Sequence, residues 1–325
     1  MKFFIPNPKE RTFSSMKTRL ITGLLCLGLS VFAADGRQPG VRHLKILTIG
    51  NSFANSVFPG LKNIVKKDPG CKITLDRANL GGCTVSRHWE LHLRSEKDPS
   101  FKPYQKKYSL RDLLTRDKWD IVTIQQASHK SWIPDSFHPD ADNLIKLIRT
   151  LAPQAEIVIQ QTWSYNSASP RLKEWKLDQN EMYARLTENY RELARKYGLR
   201  IIPVGYAVQL YRKDLGKELI RLDPAEFASF KKPEKPKNND AVANFYWRKN
   251  PKTGEDLLFF DPSHMNLAGC YLQACVWFAF LYGKDPETIE YIPAGMNGEQ
   301  AAHFRKLAKR AIDGFPQVEN KQNKQ

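Results

Sequence analysis

The stretch "KILTIGNSFANS", residues 45–56, joins an apolar run to a short polar turn. The apolar run ends at Gly50, and Asn51 and Ser52 follow directly. A short apolar run of this kind is typical of a strand that is buried on both faces of a parallel sheet. Ser52 thus follows the carboxyl end of a predicted strand, where it is either an activated nucleophile or the N-cap of the next helix.

Similar short apolar runs recur along the chain and alternate with helical patterns. Strands are predicted at residues 44–50, 72–79, 120–126, 156–163 and 199–205, and helices at 56–67, 137–151, 177–197 and 267–283. Gly198 and Gly283 are typical C-terminal caps for the last two helices. This alternation predicts βαβ units, and therefore an α/β fold. We expect a three-layer α/β/α sandwich around a mainly parallel five-stranded sheet.

One α/β domain is predicted over residues 42–283. Its rhythm of strands and helices breaks at 212–258, a stretch that is rich in Lys and Pro and contains "NFYWRK". This stretch is predicted to be a long surface loop, which either folds over a site or is a disordered insertion. Residues 284–325 are predicted to form an amphipathic helix outside the domain and a polar tail.

Residues 1–33 have the three-part pattern of a secretory signal, with Met16 as an alternative start. Two basic residues after Met16 precede an apolar run over 20–32, and Ala33 and Ala34 follow it. The run is too short for a comfortable membrane span. We therefore expect a secreted or periplasmic protein that has no stable membrane span after cleavage. Either disulfides or buried thiols are expected from the four remaining cysteines, which are Cys71, Cys83, Cys270 and Cys275.

The composition is strongly basic, with a formal net charge of +17 from 51 Lys and Arg against 34 Asp and Glu. Such a charge either attracts polyanions or only keeps a Lys-rich surface soluble. Because the basic residues are scattered and no nucleic-acid-binding motif is found, we expect no specific nucleic-acid partner.

A catalytic base is suggested by "FFDPSHMNLAGC" (259–270), which places Asp261 and His264 three residues apart before a predicted helix. A nucleophilic serine needs a base within hydrogen-bond reach, and the base needs an orienting carboxylate. Two more segments follow predicted strands: "NLGGCT" (79–84), whose glycines let the backbone approach a ligand, and "IQQAS" (124–128), which supplies amides. Ser52 and these two segments are expected at the carboxyl edge of the sheet, where parallel α/β proteins bind ligands.

These four segments, in this order, resemble the SGNH (GDSL-type) hydrolase superfamily over about residues 44–283. That family places its nucleophilic Ser after the first strand and an Asp-x-x-His near the C-terminus. The resemblance implies a flavodoxin-like fold with Ser52 as nucleophile, His264 as base and Asp261 as the orienting carboxylate. It also implies an oxyanion hole from the backbone N–H groups of Ser52 and Gly82, completed by an Asn side chain.

The chain departs from the family pattern in two places. Gly-Asn-Ser replaces Gly-Asp-Ser, which changes little because that Asp is not part of the triad. The third block, Gly-x-Asn-Asp in the family, is replaced by "QQASHK", so another group has to supply the hydrogen bond of the Asn. We favour the amide of Gln126, with Gln125, Ser128 and His129 as alternatives. An α/β-hydrolase fits poorly, because its Gly-x-Ser-x-Gly elbow lies in mid-chain.

The resemblance implies a serine esterase that works through an acyl-enzyme and needs no cofactor. It suggests a small-molecule or carbohydrate ester as substrate, with acetyl groups on carbohydrate favoured. A carbohydrate-binding protein of the same fold, with weak or no catalysis, is the alternative. Substrate contacts are expected from Asn51, Trp89, Gln125 and Trp163, although tryptophans near strand ends are also candidates for the core.

The segment "HWELH" (88–92) places His88 and His92 four residues apart, on one face of a helix, as a metal site would require. Metalloproteases place the Glu directly after the first His, whereas Glu90 comes one position later and points away from that face. No metal site is therefore predicted.

Overall fold

The computed structural model describes residues 40–318. Its centre is a parallel sheet in the order β2-β1-β3-β4-β5. The strands are Arg42–Gly50 (β1), Cys71–Asn79 (β2), Ile121–Ile124 (β3), Glu156–Gln160 (β4) and Arg200–Ile202 (β5). This is the flavodoxin-like strand order, and it confirms the predicted α/β class. The third and fourth strands end earlier than predicted, so Gln125, Gln126 and Trp163 lie in the loops beyond the sheet edge.

Helices cover both faces of the sheet. They are Ser52–Asn55 (α1), Val57–Lys67 (α2), Val85–Lys97 (α3), Leu110–Thr115 (α4), Ser128–Ser131 (α5), Asp140–Leu151 (α6), Pro170–Glu174 (α7), Gln179–Tyr197 (α8), Val204–Leu215 (α9), Leu267–Tyr282 (α10) and Gly298–Gly314 (α11). Short 3₁₀ turns lie at Pro134–Ser136, Gly216–Glu218, Pro224–Ser229 and Pro286–Thr288. As predicted, Gly198 (φ 66°) and Gly283 (φ 65°) end α8 and α10 in the left-handed conformation.

Helix α10 is buried on nearly every side. It packs against α2, α9 and α11, and its Trp277 and Phe278 belong to the core. A helix that is apolar all round is stable only when other elements surround it, and each fully buried large side chain contributes about 1.5–3 kcal/mol. Among residues 40–318, no helix combines the length and the apolar character needed to cross a membrane.

The stretch predicted as a long loop at 212–258 is partly a β-hairpin. Strand β6 (Val242–Lys249) pairs antiparallel with β7 (Asp256–Met265). Its opposed aromatic rings explain the pairing: the ring centroids of Phe245 and Phe260 lie 5.0 Å apart, and those of Tyr246 and Phe259 lie 5.1 Å apart. The hairpin was not predicted, because the Lys- and Pro-rich segment that precedes its aromatic strand is typical of a loop.

A buried ion pair fixes the base of the hairpin. The Arg212 guanidinium on α9 donates to both carboxylate oxygens of Asp240, at 3.0 and 3.2 Å, and to Ser164 Oγ at 2.8 Å. Asn166 Nδ2 also donates to Asp240, at 3.0 Å. Because both charges are paired and hydrogen-bonded, their burial is tolerated, and the hairpin is held against the loop that follows β4.

The sequence alone does not determine whether the cysteines form disulfides or stay free thiols. In the described residues the four cysteines are free thiols, which are Cys71, Cys83, Cys270 and Cys275. Burial raises the pKa of Cys83 and of Cys275 to about 12, so these thiols stay protonated and pack as small apolar groups.

Candidate active site

Ser52 lies at the carboxyl edge of the central strand. Gly50 ends β1, and a Cβ there would come within 2.8 Å of the Gln125 side chain, so glycine leaves room for that side chain. Asn51 caps α1, because its Oδ1 accepts from Phe53 N at 3.0 Å. Ser52 is therefore the first residue of the helix and not its N-cap, and its hydroxyl is left for another partner.

That partner is His264. Ser52 Oγ lies 2.8 Å from His264 Nε2, and His264 Nδ1 lies 2.7 Å from Asp261 Oδ2. The three side chains form one continuous hydrogen-bonded relay between β7 and the turn after β1. This is the arrangement in which an imidazole takes a proton from a hydroxyl while a carboxylate holds the ring.

The Asp261 carboxylate is held by several donors. Oδ1 accepts from the backbone N–H groups of Ser263 and His264 at 3.0 and 3.2 Å, and from Ser263 Oγ at 2.8 Å. Oδ2 also accepts from the Tyr246 hydroxyl at 3.1 Å. Burial by itself raises the pKa of Asp261, but the hydrogen bonds and charge of His264, with the donors from Ser263, outweigh it and hold the pKa well below the usual range. The carboxylate therefore stays ionised across the physiological range.

Two stacked aromatic rings, Phe53 and Trp163, pack beside the relay. The Phe53 and Trp163 rings are parallel with centroids 4.1 Å apart, and the Phe53 and His264 rings form a T-shaped pair with centroids 5.1 Å apart. Trp163 Nε1 donates to Ser263 O at 2.9 Å. These contacts fix the imidazole ring and the loop that carries it, which is the support that a pre-organised site needs.

Ser52 and Gly82, the residues predicted to supply backbone N–H groups to the oxyanion, both line the cavity. Gly82 has φ +62°, which favours glycine, and open space surrounds the position of a Cβ. The N–H of Ser52 is in the first turn of α1, where it has no intrahelical acceptor. Asn51 Nδ2 donates to Cys83 O at 3.2 Å and so ties the serine turn to the glycine loop.

Gln126 does not supply an oxyanion donor, which corrects the prediction. Its Nε2 donates to Ser136 O at 2.6 Å, and its Oε1 accepts from Val85 N and Ala127 N at 3.0 and 2.8 Å. The side chain is buried and holds the loop after β3 together, so its amide is already used. From the same block, Ser128 lines the cavity, and its hydroxyl lies 2.9 Å from the Tyr165 hydroxyl.

The expected substrate contacts are mostly structural. Gln125 Nε2 donates to Asn51 Oδ1 at 2.7 Å, and Asn51 also bonds the backbone of Phe53 and Cys83, although it borders the cavity. Trp163 is fully buried under Phe53. Trp89 is half-buried on α3 against the core and does not reach the cavity.

The "HWELH" segment has a structural role. His88 is buried, its Nε2 lies 2.9 Å from Gly50 O and its Nδ1 lies 2.8 Å from the Tyr104 hydroxyl. Burial lowers the pKa of His88 to about 4, although the Gly50 carbonyl opposes this, so the ring is neutral at pH 7 and donates to the end of β1. No group of three or more potential metal-ligating side chains is found within residues 40–318.

The cavity around Ser52 has a volume of about 490 Å³, within the range of small-molecule sites. It includes residues outside the predicted set of site residues: Tyr165, Arg171, Tyr246, Arg248, Phe259 and Phe260. Four of these six come from the hairpin. The sequence signals for these four residues are "NFYWRK" (244–249), upstream of the Asp-x-x-His segment, and the aromatic pair before Asp261.

Comparison with known proteins adds a family and a fold. Residues 45–221 match a family described as "Domain of unknown function (DUF4886)". The matched segment contains Ser52 and Gly82 and ends before the hairpin that carries Asp261 and His264. Among curated proteins, none matches the chain.

Solved structures are similar to the chain in fold. The crystal structure of a DUF4886 family protein from Bacteroides uniformis ATCC 8492 has a TM-score of 0.66 at 22% identity, covering 87% of this chain and 99% of that one. A proposed SGNH hydrolase from Slackia heliotrinireducens has a TM-score of 0.46 at 18% identity, covering 72% of this chain and 97% of that one. An acetyl xylan esterase has a TM-score of 0.45 at 14% identity, covering 73% and 100%. At these identities the role of each residue has to be argued from the geometry of this chain.

Proposed function

The chain belongs to the DUF4886 family, whose description assigns no activity, and from the geometry of its site we propose that it is a serine esterase. The observation that carries this proposal is the relay from Ser52 Oγ through the His264 imidazole to Asp261 Oδ2, with steps of 2.8 and 2.7 Å. It lies in a cavity at the carboxyl edge of a parallel sheet, where such folds bind ligands.

The reaction begins with a proton transfer from Ser52 Oγ to His264 Nε2 as Oγ attacks the ester carbonyl carbon. The oxyanion receives hydrogen bonds from the N–H groups of Ser52 and Gly82. Collapse breaks the bond to the alkoxy oxygen, which leaves as the alcohol with the proton from His264. Water then attacks the acyl-enzyme, gives a proton to His264 and releases the acid, and Ser52 recovers its proton.

We assign the third oxyanion contact to the Ser128 hydroxyl. Ser128 lines the cavity, and either it or Tyr165 donates in their 2.9 Å hydrogen bond. When Tyr165 donates, the Ser128 proton is free to point into the cavity. This assignment replaces Gln126, whose amide is bonded to Ser136.

The proposed substrate class is an acyl ester of a small molecule or carbohydrate, with acetyl groups favoured. Tyr165, Tyr246 and Phe259 line the cavity, and their rings give it the apolar character that suits a sugar ring. The secretory signal expected at residues 1–33 lies outside the described residues, and secretion or export to the periplasm stays part of the proposal.

A fluorophosphonate probe and p-nitrophenyl acetate test this function. Wild-type protein should be labelled on the peptide that contains Ser52 and should hydrolyse the ester, whereas Ser52→Ala should do neither. Ser229→Ala, which alters an exposed serine outside the cavity, is the matched control and should behave as wild type. Equal behaviour of wild type and Ser52→Ala would remove the basis of the esterase proposal.

A further inference from the structure

Two arginines border the cavity beside Ser52, and the reaction described above uses neither. Arg171 lies in the first turn of α7, and Arg248 lies on β6. Within residues 40–318, neither guanidinium forms an ion pair, although eight other arginines do: Arg87, Arg111, Arg116, Arg185, Arg195, Arg200, Arg212 and Arg310. Two arginines without an ion pair in the described residues therefore line one small cavity and concentrate positive charge there.

Arg248 is seated on aromatic rings. Its guanidinium carbon lies 3.9 Å from the centroid of Phe259 and 4.8 Å from that of Tyr246. Cation–π stacking on two rings restricts the side chain and leaves the N–H edge of its planar group for a ligand. Tyr246 also donates a hydrogen bond to Asp261, so Arg248 stacks on a residue that is bonded to the catalytic relay.

Arg171 lines the same cavity from α7. Burial is the larger cause that lowers the pKa of His129, and the positive charge of Arg171 lowers it further. Burial raises the pKa of Tyr165, whose hydroxyl bonds Ser128, and the positive charge of Arg171 opposes this rise. Arg171 is therefore close to the groups that surround the proposed oxyanion position.

No carboxylate in the cavity balances these charges. Asp261 is the sole acidic residue that lines it in the described chain, and its oxygens are occupied by His264, Ser263 and Tyr246. A neutral acyl ester has no group that would use two guanidinium forks. Carboxylate, sulfate and phosphate groups do, because arginine binds their oxygens in pairs.

We propose, on the basis of the esterase function above, that the substrate is an ester that also carries an anionic oxygen group, bound by Arg171 and Arg248 while Ser52 attacks. The anionic group belongs either to the acyl part or to the alcohol part, as on an acidic sugar. The ester itself reacts as described, and the anionic group binds without chemical change.

Matched pairs of esters test the proposal and locate the anion. The acyl arm compares mono-p-nitrophenyl succinate with p-nitrophenyl butyrate. The alcohol arm compares 4-acetoxybenzoate with its methyl ester. For each pair, the ratio of kcat/KM for the anionic ester to that for the neutral ester is measured in wild type, Arg171→Gln and Arg248→Gln.

Arg94→Gln is the matched control. Arg94 is exposed and stacks on Phe101 with its guanidinium carbon 3.8 Å from the ring centroid, as Arg248 stacks on Phe259, but it lies outside the cavity. The substitution removes the same charge from the protein. It therefore separates a local contact from the effect of net charge on an anionic substrate.

In at least one arm, wild type should prefer the anionic ester, and each cavity variant should lower that preference about tenfold or more, mainly through KM. Arg94→Gln should keep the wild-type ratio. Ser52-dependent hydrolysis with no anionic preference in either arm, or with a preference that neither cavity variant changes, would overturn this inference and leave the esterase function standing. If wild type and Ser52→Ala turn over all four esters equally, both proposals fall.

Discussion

The hydroxyl of Tyr246 donates to Oδ2 of Asp261 at 3.1 Å, and the same oxygen accepts from His264 Nδ1 at 2.7 Å. Tyr246 lies on β6 and Asp261 on β7, so the pairing of the hairpin sets both contacts. The hairpin thus places and orients the carboxylate that holds the imidazole. Its position beside the cavity makes it part of the proposed catalytic machinery.

Tyr246→Phe should lower kcat about tenfold. A hydrogen bond to a charged group contributes roughly 1.5–3 kcal/mol, and its loss frees the carboxylate that holds the imidazole. Steady-state kinetics with p-nitrophenyl acetate measure the effect, and the phenyl ring preserves the stacking against Phe259.

Tyr197→Phe is the corresponding control. Its hydroxyl also donates to a carboxylate, that of Asp142, at a position outside the cavity. This variant should keep the wild-type kcat. A Tyr246→Phe enzyme with unchanged kcat would show that the hydrogen bond to Asp261 does not matter for catalysis.

Ser128→Ala should lower kcat by roughly 100-fold with little change in KM, as expected when one oxyanion donor is removed. Gln126→Ala should behave differently. It leaves the buried N–H groups of Val85 and Ala127 without their acceptor, so its main effect should be a loss of about 2–3 kcal/mol of unfolding free energy.

Kinetics and denaturant unfolding on the two variants separate these roles. A Ser128→Ala enzyme with kcat within twofold of wild type contradicts the assignment of Ser128. A stable Gln126→Ala protein with a large loss of kcat would return the oxyanion role to Gln126.

Local patterns made much of the fold and of the relay predictable. The strands are short apolar runs, and their carboxyl ends have to meet at one edge of a parallel sheet, which brings Ser52 and Gly82 together. The Asp261-x-x-His264 spacing lets one turn join a carboxylate to an imidazole. In the structure His264 Nδ1 lies 2.7 Å from Asp261 Oδ2, whereas the catalytic roles of both residues stay predictions.

Long-range packing explains what the sequence did not reveal. Gln126 bonds to Ser136 in a 3₁₀ turn, and neither its partner nor its direction follows from "IQQAS". Trp163 lies near a strand end, but its burial depends on Phe53 from another part of the chain. Arg171 and Arg248 come from segments that are distant in the sequence, and they line one cavity only in the folded chain.

Asp261→Asn should make the free energy of unfolding depend less on pH in the acidic range. The pKa of Asp261 is lowered from 3.8 in the folded state, so its stabilising contribution is complete above the unfolded pKa and is lost as pH falls toward the folded value. The difference in unfolding free energy between wild type and Asp261→Asn should therefore shrink as pH falls below about 4. Denaturant unfolding at several pH values measures this, and a constant difference down to pH 2 contradicts it.

His88→Gln should weaken the pH dependence of the unfolding free energy between the His88 pKa of about 4 and the ordinary value of 6.5. Because the folded pKa of His88 is about 4 and the ordinary value is 6.5, the unfolded chain binds a proton between these values that the folded chain does not. Wild-type stability should thus fall as pH decreases from 6.5 toward 4, by at most about 1.4 kcal/mol per pH unit from this group.

Glutamine does not titrate, and its amide can still donate to the Gly50 carbonyl that His88 Nε2 contacts. The His88→Gln protein should therefore be less stable than wild type at pH 7, where the better-fitting neutral imidazole is favoured, and the two should converge toward pH 4. Denaturant midpoints at half-unit steps measure the two curves. Parallel curves across this window would show that the buried imidazole carries no proton linkage.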